Sequence, residues 1–364
     1  MKRILFATLL CCALPFISVT ALAQSADAIT IGTRRVVKSQ VLKEDRTVYV
    51  QLPESYAKSS GYHRYPVLYV RDGGKFFQSF AGAVQHLSSD ATPHVPEMIV
   101  VAIPETDRVR DSSSTRSLQG FTGKRDEGFA SSGGGGNFLR FLEQELVPYI
   151  DTQFSTSSYR IYCGYSFTGL SVIDAFLDQE PLFDAFLMID PSWWWDDYVM
   201  EKRATAELAR RKFERAQLFI AASGEPYPEK YFIKARDVES LAEILRKTNP
   251  AGLQWQFERY EDESHHSMAL RSLHDGLTYF FRGYQPTLRE LYVEPEKLEA
   301  RYQALSARLG ERVALREDLL LFFGEQFLSS FKERDQALRY YEMAVEAYPQ
   351  SEDAKKALSS LRSE

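Results

Sequence analysis

The chain has 364 residues, of which 44% are hydrophobic and 26% charged, and its formal net charge at pH 7 is −6. This length is enough for one large domain, or for two, with a substantial buried core. The acidic balance, with no block rich in Lys and Arg, argues against a nucleic-acid partner, because phosphates require a basic binding face.

The first 23 residues have the pattern of a secretory signal. Lys2 and Arg3 precede an apolar run that ends in a small-residue cleavage site after Ala23. A retained membrane anchor is the alternative interpretation, but the run is short for a span of the bilayer. We therefore expect an exported protein, periplasmic or secreted.

Short apolar runs alternate with helical patterns through most of the chain. Residues 29–37 and 41–52 are rich in β-branched side chains and predict antiparallel edge strands. Continuous apolar runs, typical of strands covered on both faces, predict strands at 65–70 and 98–103. Further strands are predicted at 159–163, 185–189, 217–221 and 253–260. Helices are predicted after residue 166 and over 138–150 (capped by Asn137), 238–247 and 269–281. This alternation predicts an α/β fold with a mostly parallel sheet, helices on both faces and function at the carboxyl ends of the strands.

Ser166 lies where one predicted strand meets a helix, between Gly164 and Gly169. In a nucleophile elbow, a sharp strand-to-helix turn exposes the serine hydroxyl and aims the next backbone N–H at the reacting oxygen. The usual G-x-S-x-G spacing would put the second glycine at position 168, where this chain has Thr168. An ordinary glycine turn before a helix is the alternative interpretation.

Two further residues, Glu225 and His265, also follow predicted strands, so the chain order is serine, acid, histidine, as in α/β-hydrolases. We expect His265 to be the general base rather than an exposed loop histidine, and His266 to lie on the pocket rim or the surface. Glu225 is our choice for the acid that orients the imidazole. Asp190, Asp262 and Glu263 are further candidates for this acid, and a site with no acid at all is also open.

Blocks in a shared order extend this pattern: VYVQLPESY at 48–56, PVLYVRDG at 66–73, GYSFTGL at 164–170, PSWWW at 191–195 and DESHHSM at 262–268. On these blocks, residues 29–283 resemble the putative-esterase branch of the α/β-hydrolases, which includes enterobactin-type siderophore esterases and S-formylglutathione hydrolases. The resemblance implies Ser166 as nucleophile and His265 as base. Arg71, Thr168 and His266 depart from the family pattern.

The remaining site residues surround this elbow. We expect the oxyanion hole to use the backbone N–H groups of Phe167 and Gly73, since a glycine lets the backbone approach the substrate. Trp193 and Trp194 are predicted pocket walls for an apolar or aromatic group, with core packing as the alternative. Arg108 could contact an anionic substrate group, with a solvated loop as the alternative.

The C-terminal segment, residues 286–364, is charged and helical and has no strand signal. Part of it matches the second helix of a tetratricopeptide-like unit through Ala337, Tyr341, Ala344 and Pro349. We therefore divide the mature chain into an esterase domain, 24–285, and a helical extension, 286–364. The extension should pack on the esterase domain or mediate self-association or binding of a protein partner, and a plain helical extension is the alternative.

These observations predict an exported serine esterase that cleaves a carboxylic ester or thioester of a small molecule through an acyl-enzyme, with no cofactor and no metal. An acyltransferase with the same triad is one competing interpretation, and an added alcohol that outcompetes water would identify it. A non-catalytic binding or scaffold protein on a hydrolase fold is a second, and a fluorophosphonate probe would not label it.

Overall fold

The computed structural model describes residues 29–59, 61–178, 182–225 and 238–363. The predicted signal segment lies outside these residues. From Ile31 onward the chain forms one compact unit. Within the described ranges, no helix is both long and apolar enough to span a membrane.

An eight-stranded sheet forms the centre of the described chain, in the order β1-β2-β4-β3-β5-β6-β7-β8. Strands β1 and β2 are antiparallel to their neighbours, and the remaining six run parallel. The strands are β1 (Thr33–Ser39), β2 (Glu44–Gln51), β3 (Tyr65–Val70), β4 (Ile99–Ala102), β5 (Thr156–Tyr165), β6 (Ala185–Ile189), β7 (Gln217–Ser223) and β8 (Gln254–Tyr260). The predicted α/β fold with a mostly parallel sheet is confirmed.

Helices cover both faces of this sheet. They are α1 (Gly73–Ser88), α2 (Arg108–Ser112), α3 (Gly135–Phe141), α4 (Val147–Gln153), α5 (Gly169–Phe176), α6 (Trp195–Leu208), α7 (Glu239–Thr248), α8 (Ala269–Phe280), α9 (Leu288–Tyr292), α10 (Pro295–Leu309), α11 (Glu317–Gln326), α12 (Arg334–Ala347) and α13 (Glu352–Ser363). A π-helical turn joins α3 to α4 and another follows α11. Helices α1, α8 and the C-terminal helices pack on one face, and α3 to α7 pack on the other.

The central strands are apolar because both of their faces are covered. Every residue of β3, β4, β6 and β7 is buried, whereas the edge strand β8 is largely half-buried. Continuous apolar runs therefore marked the strands at the middle of the sheet, as expected for parallel sheets with helices on both sides.

The helix predicted over 138–150 begins earlier, at Gly135, and Asn137 is not its cap. The glycines before it explain this difference. A Cβ on Gly135 would lie 2.6 Å from the carbonyl carbon of Ser113, so only a glycine lets the first turn pass that close to the neighbouring backbone.

The C-terminal helices share one apolar core with the sheet. This core runs from strand residues such as Leu187 through Phe280 and Tyr284 to Leu361 near the end of α13. Helices α11 and α12 approach so closely that a Cβ on Gly324 would lie 2.3 Å from the ring of Tyr341. The extension therefore packs on the esterase domain, while the boundary at residue 286, the tetratricopeptide-like character and a protein partner stay predictions.

Candidate active site

Ser166 lies directly after β5, at the centre of the sheet, in a strained left-handed conformation with φ of 56°. It is partly exposed, whereas its neighbours from Ile161 to Leu170 are buried. A Cβ on Gly164 would lie 2.7 Å from the carbonyl oxygen of Thr168, so the helix after the serine packs directly on the strand before it. This is the geometry of a nucleophile elbow.

Thr168 closes this turn with its side chain. Its Oγ1 accepts the backbone N–H of Tyr165 at 3.0 Å and lies 3.0 Å from Oδ2 of Asp72. The side chain is fully buried. The departure from the glycine pattern therefore adds hydrogen bonds to the elbow instead of loosening it.

A chain of three polar side chains begins at Ser166. Its Oγ is 3.1 Å from Nε2 of His265, and Nδ1 of His265 is 2.6 Å from Oδ2 of Asp190. Asp190 follows β6 directly, and its Oδ2 also accepts the hydroxyl of Ser223 at 3.0 Å. The carboxyl ends of neighbouring strands thus bring together a hydroxyl, an imidazole and a carboxylate in the order of a catalytic triad.

Our choice of Glu225 as the acid is wrong in this geometry. Glu225 is exposed, and its backbone N–H donates to the carbonyl oxygen of Glu263. Strand β7, which leads to Glu225, lies one position farther from β5 than β6 does. Asp190 is therefore the carboxylate next to the elbow. Asp262, which the sequence also allowed as the acid, pairs with Arg271 at 2.7 Å.

His266, the neighbour of His265, has an exposed side chain, and its ring lies 5.2 Å from the His265 ring in an edge-on arrangement. This position agrees with the surface interpretation of His266. The two adjacent histidines thus have different environments, and only His265 contacts Ser166 and Asp190 among the contacts described.

The backbone N–H of Gly73 does not match the predicted oxyanion hole, because it donates to the carbonyl oxygen of Ile103 at 2.9 Å. The following residue, Gly74, is exposed and is the second residue of α1. An N–H at this position of a helix has no carbonyl partner within the helix. Gly74 and Phe167, which follows Ser166, are therefore better placed to supply the two N–H groups.

The two predicted tryptophans lie in different environments. Trp193 is 1% exposed and its indole N–H donates to Oγ of Ser240 at 2.6 Å, so it is a core residue and not a pocket wall. Trp194 is partly exposed, with ring centroids 5.9 Å from Phe129 and 6.4 Å from Phe167. Its position beside the elbow agrees with a pocket wall.

The guanidinium of Arg108 is hydrogen-bonded to other groups of the protein. It makes two hydrogen bonds to the carboxylate of Asp72, at 2.7 and 2.9 Å, and a third to the carbonyl oxygen of Tyr165 at 3.2 Å. Asp72 neutralises much of the positive charge that an anionic substrate group would need. Arg108 therefore holds the end of β5, a role that the sequence did not predict.

The Cys163 thiol, near the elbow, is a second candidate nucleophile by residue type. Burial raises the pKa of the Cys163 thiol well above its usual range, so it is not a thiolate nucleophile. Across the described residues, no group of three or more His, Cys, Asp or Glu side chains is arranged to hold a metal ion.

A cavity of about 430 Å³ lies away from this site, near the amino end of β3. Its lining includes His63, Tyr65, Glu317 and Tyr348, and none of the three triad-like residues. It lies between the esterase sheet and the C-terminal helices, away from Ser166, His265 and Asp190.

Comparison with known proteins agrees with this geometry. Residues 39–266 match the family described as "Putative esterase". The ferri-bacillibactin esterase BesA of Bacillus subtilis is 24% identical over 67% of this chain and 88% of its own. The siderophore triacetylfusarinine C esterase of Aspergillus fumigatus is 24% identical over 62% of this chain and 84% of its own.

A crystal structure of an IroE-like serine hydrolase from Shewanella oneidensis is similar with a TM-score of 0.73 and 29% identity, covering 91% of this chain and 99% of that one. Residues 1–285 make up less than 91% of the chain, so the match extends into the C-terminal helices. The family match covers well over half of the chain. The chain therefore belongs to the putative esterase family and is a hydrolase of esters.

Proposed function

We propose that this protein is a serine esterase that works through an acyl-enzyme, with Ser166 as nucleophile, His265 as general base and Asp190 as the orienting acid. The observation that carries the proposal is the chain of contacts from Ser166 Oγ to His265 Nε2 at 3.1 Å and from His265 Nδ1 to Asp190 Oδ2 at 2.6 Å. A serine hydroxyl is a poor nucleophile until a neighbouring base takes its proton.

In the first half of the reaction, Nε2 of His265 accepts the Ser166 proton while Oγ forms a bond to the ester carbonyl carbon. The carbonyl oxygen then carries a negative charge. Collapse of this intermediate breaks the bond to the leaving group, which takes the proton from His265. In the second half, water attacks the acyl-enzyme in the same way and releases the acid.

The developing oxyanion needs donors that are already in place, since such electrostatic preorganisation supplies much of the rate. We assign this role to the backbone N–H groups of Phe167 and Gly74. Phe167 follows the nucleophile, and Gly74 is the second residue of α1, close after the end of β3. The amino end of α1 also places its positive dipole end near the oxyanion.

The substrate side of the proposal rests on an aromatic surface and on the relatives. Phe121, Phe129 and Trp194 are partly exposed beside the elbow, and the Trp194 ring packs against Phe121, Phe129 and Phe167. One relative is named as a siderophore esterase and another as a ferri-bacillibactin esterase. We propose a small-molecule ester of the siderophore class, and an exported enzyme because of the signal pattern before Ala23.

The test is the variant Ser166→Ala assayed on short-chain aryl esters. Turnover should fall by at least about 10³-fold, since loss of a triad member costs several orders of magnitude, while the thermal melting curve stays unchanged. The variant Ser192→Ala, which changes a nearby buried serine, is the control for stability. Turnover retained in Ser166→Ala would contradict the mechanism.

A further inference from the structure

The side chain of Tyr165, the residue before the nucleophile, contacts the general base in two ways. Its ring stacks on the imidazole of His265, with centroids 4.8 Å apart and planes 27° from parallel. Its hydroxyl donates to the backbone carbonyl oxygen of His265 at 2.7 Å. On another side, Phe76 packs edge-on against the tyrosine ring at 5.3 Å. The ring is thus fixed by the core and touches the base.

The segment that carries His265 lies at the surface of the protein. Residues 261–267 form turns between β8 and α8, and all of them are exposed or half-buried. The backbone of Tyr165, in contrast, is held at both of its polar groups. Its N–H donates to Thr168 Oγ1 at 3.0 Å, and its carbonyl oxygen accepts from Arg108 at 3.2 Å. A rigid residue therefore supports a histidine on a surface turn.

We propose that Tyr165 is a positioning residue for the general base, holding the imidazole of His265 in the plane that joins Ser166 to Asp190. This inference rests on the serine esterase function proposed above. The ring sets the plane of the imidazole, and the hydroxyl sets the position of its backbone. Because the same residue leads into the nucleophile elbow, it connects the nucleophile and the base.

The hydroxyl stays a donor over the whole range in which an esterase is assayed. Burial and the nearby charge of Asp190 raise the pKa of Tyr165 to about 12. The hydrogen bond from the Tyr165 hydroxyl to the His265 carbonyl oxygen therefore does not depend on pH in that range. A substitution of Tyr165 is needed to remove it.

The role predicts an effect on kcat and not on KM, because a displaced base slows proton transfer without changing substrate binding. Tyr165→Phe keeps the stacked ring and loses one hydrogen bond, so kcat should fall by about 3- to 10-fold. Tyr165→Leu also loses the stack, and kcat should fall by about 100-fold. KM should change by less than about twofold in both variants.

Tyr302→Phe is the matched control. Tyr302 is 5% exposed, as Tyr165 is, and its hydroxyl donates to the backbone carbonyl oxygen of Tyr284 at 2.9 Å. The same kind of buried bond is lost, but far along the chain from the triad. Tyr302→Phe should lower the melting temperature about as much as Tyr165→Phe and leave kcat unchanged.

The decisive readout is the effect of Tyr165→Leu in a His265→Ala background. A residue that acts through His265 has nothing to position there, so the second substitution should cause no further loss in kcat on an activated aryl ester. A further loss as large as in the wild type would overturn the proposal. Equal kcat values for Tyr165→Phe and Tyr302→Phe would also overturn the proposal. This comparison tests the proposal even if Tyr165→Leu does not fold. A wild-type protein without esterase activity would instead contradict the proposed function itself.

Discussion

Two partly buried histidine–carboxylate pairs lie near opposite ends of the sheet and look alike in isolation. His265 contacts Asp190 at 2.6 Å, after the carboxyl ends of the strands, and His63 contacts Glu317 at 2.9 Å, near the amino end of β3. The side chains are 20% and 10% exposed in the first pair, and 10% and 12% exposed in the second. Neither the distance nor the burial distinguishes the pair proposed to be catalytic from the other one.

The difference lies at the second nitrogen of each ring. Nε2 of His265 faces the Ser166 hydroxyl, which is partly exposed on a strained turn. Nδ1 of His63 faces the hydroxyl of Tyr65 at 3.3 Å, which is buried and also bonded to Ser55 at 2.8 Å. The proposed catalytic role of the His265–Asp190 pair therefore rests on the reachable serine hydroxyl at its other nitrogen, whereas His63 joins the C-terminal helices to the sheet.

Removing each histidine in turn should separate the two pairs most widely. We expect His265→Ala to lower kcat on an aryl ester by at least about 10³-fold, because the nucleophile loses its base. His63→Ala should change kcat by less than about threefold and lower the unfolding free energy instead, since Glu317 loses a partner. Steady-state kinetics and urea denaturation of both variants check this, and His266→Ala controls for the loss of a neighbouring imidazole. A large loss of kcat in His63→Ala would show that the His63–Glu317 pair also contributes to catalysis, and would contradict this distinction.

A smaller effect should appear in the stability of the second pair as pH changes. Burial raises the pKa of Glu317, but hydrogen bonds from His63, Ser351 and Tyr62 outweigh it, so the folded-state pKa lies below the usual value. The carboxylate therefore stabilises the fold above the unfolded-state pKa, and this contribution is lost as pH falls through the folded-state pKa.

The variant Glu317→Gln tests this sign. It should cost about 1–2 kcal/mol of unfolding free energy at pH 7, and the difference from the wild type should shrink below about pH 4.5. Urea denaturation at several pH values measures it, with kcat at pH 7 as the control. A difference that stays constant down to pH 3 would show that Glu317 acts by packing and not by its charge.

The positions of Ser166 and His265 could be predicted because both depend on local patterns. A continuous apolar run marks a central strand, a glycine before the serine marks the tight turn, and the ends of parallel strands meet at one edge. The histidine then needs only to follow the last strand. These rules hold without knowledge of which strand lies beside which.

Which carboxylate lies beside His265 could not be predicted in the same way, because it depends on sheet order. Asp190 and Glu225 follow consecutive strands, and only the placement of β6 next to β5 puts Asp190 within reach of His265. The prediction of the Gly73 N–H as an oxyanion donor failed for a similar reason. Whether the N–H of Gly73 is engaged depends on how the turn after β3 meets Ile103, which follows the neighbouring strand β4.

The tryptophans show a third limit. Trp193 and Trp194 are adjacent in sequence, and the direction of each ring is set by the winding of the turn between β6 and α6, which the residue types do not specify. Nor does the pattern of residues before the nucleophile mark Tyr165 as a support for His265, because that contact spans 100 residues of sequence.

The proposed triad is tested most directly by asking which carboxylate orients His265. The measurement is kcat for Asp190→Asn and for Glu225→Gln under the same conditions. An asparagine leaves the imidazole free to adopt the wrong tautomer, so Asp190→Asn should lower kcat by about 10²- to 10⁴-fold. Glu225→Gln should remain within about twofold of the wild type, since an exposed side chain away from the imidazole does not orient it. A mild loss in Asp190→Asn together with a severe loss in Glu225→Gln would contradict the triad.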